Sequence, residues 1–161
     1  MNLDIPLLFA IAPGLWVVWN YFFKRSFAPK IKINISGAIL GSDSSGSMML
    51  RSHLTMENIG DVRFKAKELM LTVRGIKDEI FSRGDDKILN QVLFKDKIYQ
   101  DNLIPVEWGY TFIDPGVTQI YSHTILIPGK YKYLLLEGKV IYNNSKDFQI
   151  GSFVLKIEDG K

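Results

Sequence analysis

From Ile5 to Phe23 the chain reads IPLLFAIAPGLWVVWNYFF, 19 consecutive residues without a charge and nearly all apolar. At a helical rise of ~1.5 Å per residue this run reaches about 28 Å, the hydrocarbon thickness of a bilayer. Ile5, Leu7, Leu8 and Phe9 make its first half oily. Trp16, Trp19, Tyr21, Phe22 and Phe23 crowd its second half, and such rings prefer the membrane interface, body buried and polar tip wet. Lys24 and Arg25 follow at once, where their charged heads reach lipid phosphates. The run is expected to be a single transmembrane anchor over residues 1–25, with 26–29 as a linker.

Two other readings fit less well. A cleaved signal peptide needs a basic stretch before its apolar run and small residues after it. Here the basic pair comes after the run, and bulky aromatics hold the cleavage position. A buried core helix would need a soluble helix to tolerate Pro13-Gly14, which lipid accommodates better. That pair is expected to kink the helix.

The flanking charges set an expected orientation. Asp4 is the only charged side chain before Lys24, whereas Lys24, Arg25, Lys30 and Lys32 fall within nine residues after the run. Basic residues beside a membrane helix stay preferentially on the cytoplasmic side. The soluble domain is therefore expected in the cytoplasm, with the N-terminus outside; the exported orientation is the alternative.

The remaining residues, 30–161, are enough for one domain. They hold no cysteine, which excludes disulfides, thiolate metal sites and cysteine nucleophiles. After the anchor the chain carries all 20 basic and 16 of the 17 acidic residues, a net of +4, with the two signs interspersed. That is a solvated mixed-charge surface with no stripe for a nucleic acid polymer.

Alternation governs this part. Ile31, Ile33 and Ile35 share one face of a strand over 30–36. Met48, Leu50, Leu54 and Met56 share one face of a strand over 48–57, with Arg51, His53 and Glu57 opposite. Leu69, Leu71 and Val73 mark another. Further strands are expected over 108–113, 117–127, 132–142 and 148–157. In the last, Phe148 and Ile150 have one parity and Phe153, Leu155 and Ile157 the other, which a β-bulge beside Gly151 would produce. Gly41–Ser47 reads as a flexible loop by composition, and Asn58–Asp61 as a turn whose Asn and Gly accept positive φ. Residues 86–93 fit a short helix or a strand, with Asp86 as a possible N-cap.

Seven or eight strands at short spacing, without alternating helices, fit an all-β antiparallel sandwich. The run Leu54-Thr-Met-Glu-Asn-Ile-Gly-Asp61, followed by a strand and a later Asp114-Pro-Gly-Val117 turn, resembles bacterial immunoglobulin-like or fibronectin-type β-sandwiches. The resemblance covers some twenty residues and implies a fold. It implies no activity, because that architecture hosts many functions.

No constellation points to chemistry. A serine triad needs His beside an exposed Ser and a carboxylate. His123 lies mid-strand with Ser122 on the opposite face, and His53 sits on a polar face. Asp85-Asp86 lacks the spaced oxygen ligands of a calcium loop. No Gly-Lys-Ser/Thr follows Gly41–Ser47 to make a phosphate loop. No catalytic residue, metal or cofactor is expected. The sequence points instead to a membrane-anchored binding or adaptor module that holds a protein partner or senses a small ligand beside the bilayer. The alternative is a small membrane effector whose β domain binds a signal, such as a nucleotide, and drives oligomerisation of the anchor.

Overall fold

The computed structural model describes residues 13–19, 30–77, 93–142 and 147–157. Within them lie eight strands: β1 (Ile31–Ser42), β2 (Ser47–Asn58), β3 (Phe64–Ile76), β4 (Asp96–Asn102), β5 (Thr111–Ile113), β6 (Thr118–Pro128), β7 (Tyr133–Tyr142) and β8 (Asp147–Lys156). They form two antiparallel sheets. One has the order β1-β2-β6; the other has the order β4-β3-β7-β8, with β5 also paired to β3.

Period-two patterning explains the layers. Met48, Leu50, Leu54 and Met56 of β2 are buried, and so are Leu69, Leu71 and Val73 of β3 and Leu134, Leu136 and Val140 of β7. These sets face one another and form one core with Phe64, Ile104, Ile113 and Ile127. Burying each such side chain contributes about 1.5–3 kcal/mol.

Two glycine-rich stretches behave differently from their composition. Gly41 and Ser42 belong to β1, and the connection to β2 is a tight turn over 43–46. Asp43 Oδ1 accepts hydrogen bonds from Ser45 N (2.9 Å), Ser45 Oγ (2.6 Å) and Ser47 N (2.8 Å), and Gly46 supplies φ +79°. The expected flexible loop is thus an Asx-type turn, because one carboxylate satisfies three donors. Gly60, by contrast, has no positive φ. A Cβ there would stand 2.9 Å from Lys30 N, so it is the close approach of the entering chain that requires glycine.

The other strands depart from expectation in instructive places. β3 starts at Phe64, well before Leu69. The strand expected over 108–113 is only β5, since Trp108 closes a turn by donating its N–H to Pro105 O at 3.0 Å. There is no bulge at Gly151: β7 and β8 pair without a register shift, Gly138 opposite Gly151. Phe148 and Ile150 point outward instead and are 53% and 54% exposed. Their parity reflects an apolar outer face, not a kink.

Residues 13–19 of the apolar run are helical, and all are exposed. No helix among the described residues is long and apolar enough to cross a membrane. The other anchor residues (Ile5, Leu7, Leu8, Phe9, Tyr21, Phe22, Phe23, Lys24 and Arg25) lie outside the described residues. So do 78–92, with Asp85-Asp86, and the Asn143–Ser145 turn.

Candidate functional site

The two long flanks of the sandwich differ. On one, β1 packs directly on β8: a Cβ at Gly151 would meet Ile33 Cγ2 at 3.1 Å and Ile33 O at 3.3 Å. Farther along, this flank leaves a cleft of about 460 Å³ beside Ile39, Met48 and Leu155. On the other flank β6 has, among the described residues, a single sheet neighbour, β2. An edge strand leaves half of its N–H and C=O groups turned away from its partner, a template for another chain.

Soluble proteins blunt such edges with charge, proline or bulges. From Thr118 to Ile127, β6 contains no Asp, Glu, Lys, Arg or Pro, and its pairing with β2 runs without a register shift. Its outward side chains include Ile120 and Leu126, 64% and 65% exposed. A regular, uncharged edge with apolar side chains standing out from it is the feature that strand addition uses.

Beneath this edge, between β6 and β4, is a cleft of about 380 Å³ bordered by Asp101, Asn102, Pro105, Ile120, Tyr121 and His123. A polar chain organises it. Tyr99 Oη lies 2.6 Å from His123 Nε2 and 3.0 Å from Asp101 Oδ2. The two rings also stack at 5.4 Å between centroids. Burial, followed by the hydrogen bond and charge of Asp101, pushes the Tyr99 hydroxyl up to about 12. The phenol donates to Asp101 Oδ2, and the sense of its bond to His123 Nε2 follows the imidazole tautomer. Asn102 fixes the far wall: its Oδ1 accepts from Leu69 N at 3.0 Å and from Ile104 N at 3.2 Å.

The two histidines lie on opposite faces of their sheet. His123 faces inward opposite Ser52, whose Oγ donates to His123 O at 3.2 Å. His53 faces outward, with Nδ1 2.8 Å from Ser122 Oγ. This is a histidine–serine pair that separation in sequence concealed. It lacks the third member of a triad: no hydrogen bond joins His53 to a carboxylate among the described residues. Nor do these residues contain a group of three His, Asp or Glu able to hold a metal ion. Of the expected anchor residues, only Trp16 and Trp19 are described, 68% and 58% exposed.

A second constellation sits at the end of the sandwich where the chain enters. Buried Asn58 donates from Nδ2 to Val62 O (2.8 Å) and Ile113 O (2.9 Å), and its Oδ1 accepts from Gly60 N (3.0 Å). Its backbone N–H donates to Val117 O and its carbonyl accepts from Gly116 N. The Asn58–Asp61 and Asp114–Val117 segments, far apart in sequence, thus form one hydrogen-bonded knot.

No protein-family model matches this chain, and no curated protein matches it in sequence. Among solved structures it is similar to a putative ApaA protein from Bordetella pertussis, with a TM-score of 0.53 and 11% identity over 80% of this chain and 94% of that one. It is also similar to the structural-genomics target SoR45, with a TM-score of 0.52 and 12% identity over 81% of this chain and 94% of that one. These are all-β sandwich-like domains, and at such identity the likeness is one of fold alone.

Proposed function

We propose that the chain is a single-pass, membrane-anchored β-sandwich module that holds a protein partner beside the bilayer by strand addition to β6. The observation that carries this reading is the edge itself: Thr118–Ile127 is regular, uncharged and open, and Ile120 and Leu126 stand out from it. Main-chain hydrogen bonds would supply affinity, and the two apolar side chains would supply register. Below the edge, Tyr99 of β4 ties His123 of β6 to Asp101 through its hydroxyl.

The anchor reading rests on the charge-free run Ile5–Phe23 and the basic cluster after it. The exposure of helical residues 13–19 favours it over a core helix. The same cluster favours a cytoplasmic domain. A fibronectin-type assignment within the sandwich class draws support from strand order: β1-β2-β6 against β4-β3-β7-β8 corresponds to strands A-B-E against C′-C-F-G of that fold. An effector domain that binds a nucleotide needs a cavity lined by arginine and aromatics. Neither flank cleft has an arginine in its lining, so the adaptor reading is preferred.

The test uses the full chain in its own membranes, with a photo-crosslinking residue at Ile120 and, separately, at Val154 on the outer face of β8. One discrete adduct from position 120, absent from 154 and lost on Leu126→Lys, is expected. No adduct from position 120 would overturn the reading, and an adduct of twice the chain's mass would make the partner a second copy.

A further inference from the structure

The end of the sandwich that receives the chain carries a cluster of rings and cations. Ile59 N donates to Lys30 O at 2.9 Å, so the segment leading from the anchor meets the domain at the β2–β3 turn. Only seven residues, Lys24–Lys30, separate Phe23 from β1. Fully extended they span at most about 24 Å, so this end of the domain cannot stray far from the bilayer that holds the anchor.

Side chains at this end have the chemistry of an interface. Lys65 Nζ stands 3.8 Å from the Tyr110 ring centroid and 5.8 Å from that of Phe112. Arg63 lies over the other side of the cluster, 5.3 Å from the Phe112 centroid. Tyr110 and Phe112, themselves 4.9 Å apart, are each 41% exposed. Ile59 is 57% exposed and adjoins them through the Asn58 knot. Acidic groups are interspersed here: Asp114 pairs with Arg63 and Glu57 with Lys32, Asp61 and Asp147 are exposed, and Lys65 is the cation set closest over the rings. In water, rings set beneath cations contribute only about 0.5–1 kcal/mol each. A headgroup layer adds to this, because rings enter the acyl boundary while ammonium and guanidinium groups meet phosphate.

We infer that the entry end of the domain, carried by Ile59, Lys65, Tyr110 and Phe112, docks on anionic lipid headgroups and holds the sandwich against the membrane in one orientation. This rests on the anchor reading given above. Its consequence for that reading is geometric. β6 runs away from the docked end, from Thr118 beside the knot to Pro128 at the far end, so the free edge stands roughly upright from the surface. A partner strand would then add along the membrane normal.

The absence of cysteine makes the test direct, since one introduced thiol carries one label. Full-length chain with Ile59→Cys, and separately Ser44→Cys in the far turn, is nitroxide-labelled and reconstituted in vesicles of phosphatidylcholine with or without phosphatidylglycerol. Flotation reports the anchor, and collision with a water-soluble relaxing agent reports docking. The expected result is a several-fold loss of collision at position 59 with phosphatidylglycerol present, no change at position 44, and return of position 59 to water in Lys65→Glu. Equal water access at 59 and 44 in chain that floats with anionic vesicles would overturn docking and leave the anchor standing. Loss of access at 59 that is equal without phosphatidylglycerol would overturn the anionic requirement. Chain that fails to float would refute the anchor, and the docking that depends on it.

Discussion

Leu54 of β2 occupies the space that a side chain on Gly138 of β7 would need: a Cβ there would collide with Leu54 Cδ1. The two sheets interlock at this point, a fully buried leucine over a glycine, and the same device recurs where Gly37 lies 2.6 Å from Leu136 Cδ2 by the same measure. Neither substitution is cushioned by a flexible surface group. Gly138→Ala should therefore cost about 1–3 kcal/mol of overpacking. Leu54→Ala alone should cost about 2–5 kcal/mol, leaving a cavity that the alanine methyl at 138 can partly fill. The double variant is expected to be more stable than the sum of the singles implies, by a coupling measurable in denaturant titrations. Strict additivity would mean that the sheets separate to accept the methyl.

Faces of β7 give a second test. Leu136 and Val140 are fully buried, while Lys139 points outward with Nζ 4.5 Å from the Phe148 ring centroid. Leu136→Asp or Val140→Asp buries an unpaired carboxylate at a cost of several kcal/mol, comparable with the whole stability of a domain. Lys139→Ala loses an exposed cation–π contact, about 0.5–1 kcal/mol. Thermal melts should separate the aspartate variants from the alanine variant by many degrees, and similar melting temperatures would mean that the inward set is misassigned.

Topology gives a third. If Lys24, Arg25, Lys30 and Lys32 hold the basic flank inside, protease added to intact spheroplasts leaves the domain whole and digests it only after lysis. Digestion before lysis would place the β6 edge among envelope partners instead.

These tests also show where the sequence was readable. Met48, Leu50, Leu54 and Met56, like Leu134, Leu136 and Val140, alternate against polar residues, so one buried face announced itself. β4 did not: Asp96–Asn102 is a polar edge strand, and a register shift between Val73 and Arg74 leaves Ile98 without a partner and spoils any alternation. β8 misled because its outer face carries Phe148, Ile150 and Val154, about half exposed, which imitates a change of inward parity. The β6 edge was invisible for another reason. Ile120 and Leu126 read as ordinary strand residues, and only sheet order shows that no described strand pairs with β6 on that flank. The Tyr99–His123 contact was equally hidden, because it joins two strands of different sheets that never pair.

That contact carries the last prediction. The Tyr99 hydroxyl has an ordinary value of 10.0 and rises to about 12 in the folded domain, chiefly through burial and then through Asp101. A group raised on folding binds its proton more tightly in the native state. Its stabilising contribution is therefore complete below pH 10, where both states are protonated, and is lost as pH climbs from 10 towards 12 and only the unfolded tyrosine ionises. Tyr99→Phe removes this component and the hydrogen bonds to Asp101 and His123, which should cost about 1 kcal/mol at neutral pH. Melting curves of the two proteins should converge between pH 10 and 12, with the wild-type chain falling more steeply. The other six of the seven tyrosines, and every lysine, are common to both proteins and cancel in the difference. Parallel curves through that window would mean that the Tyr99 phenol does not hold its proton more tightly in the folded state.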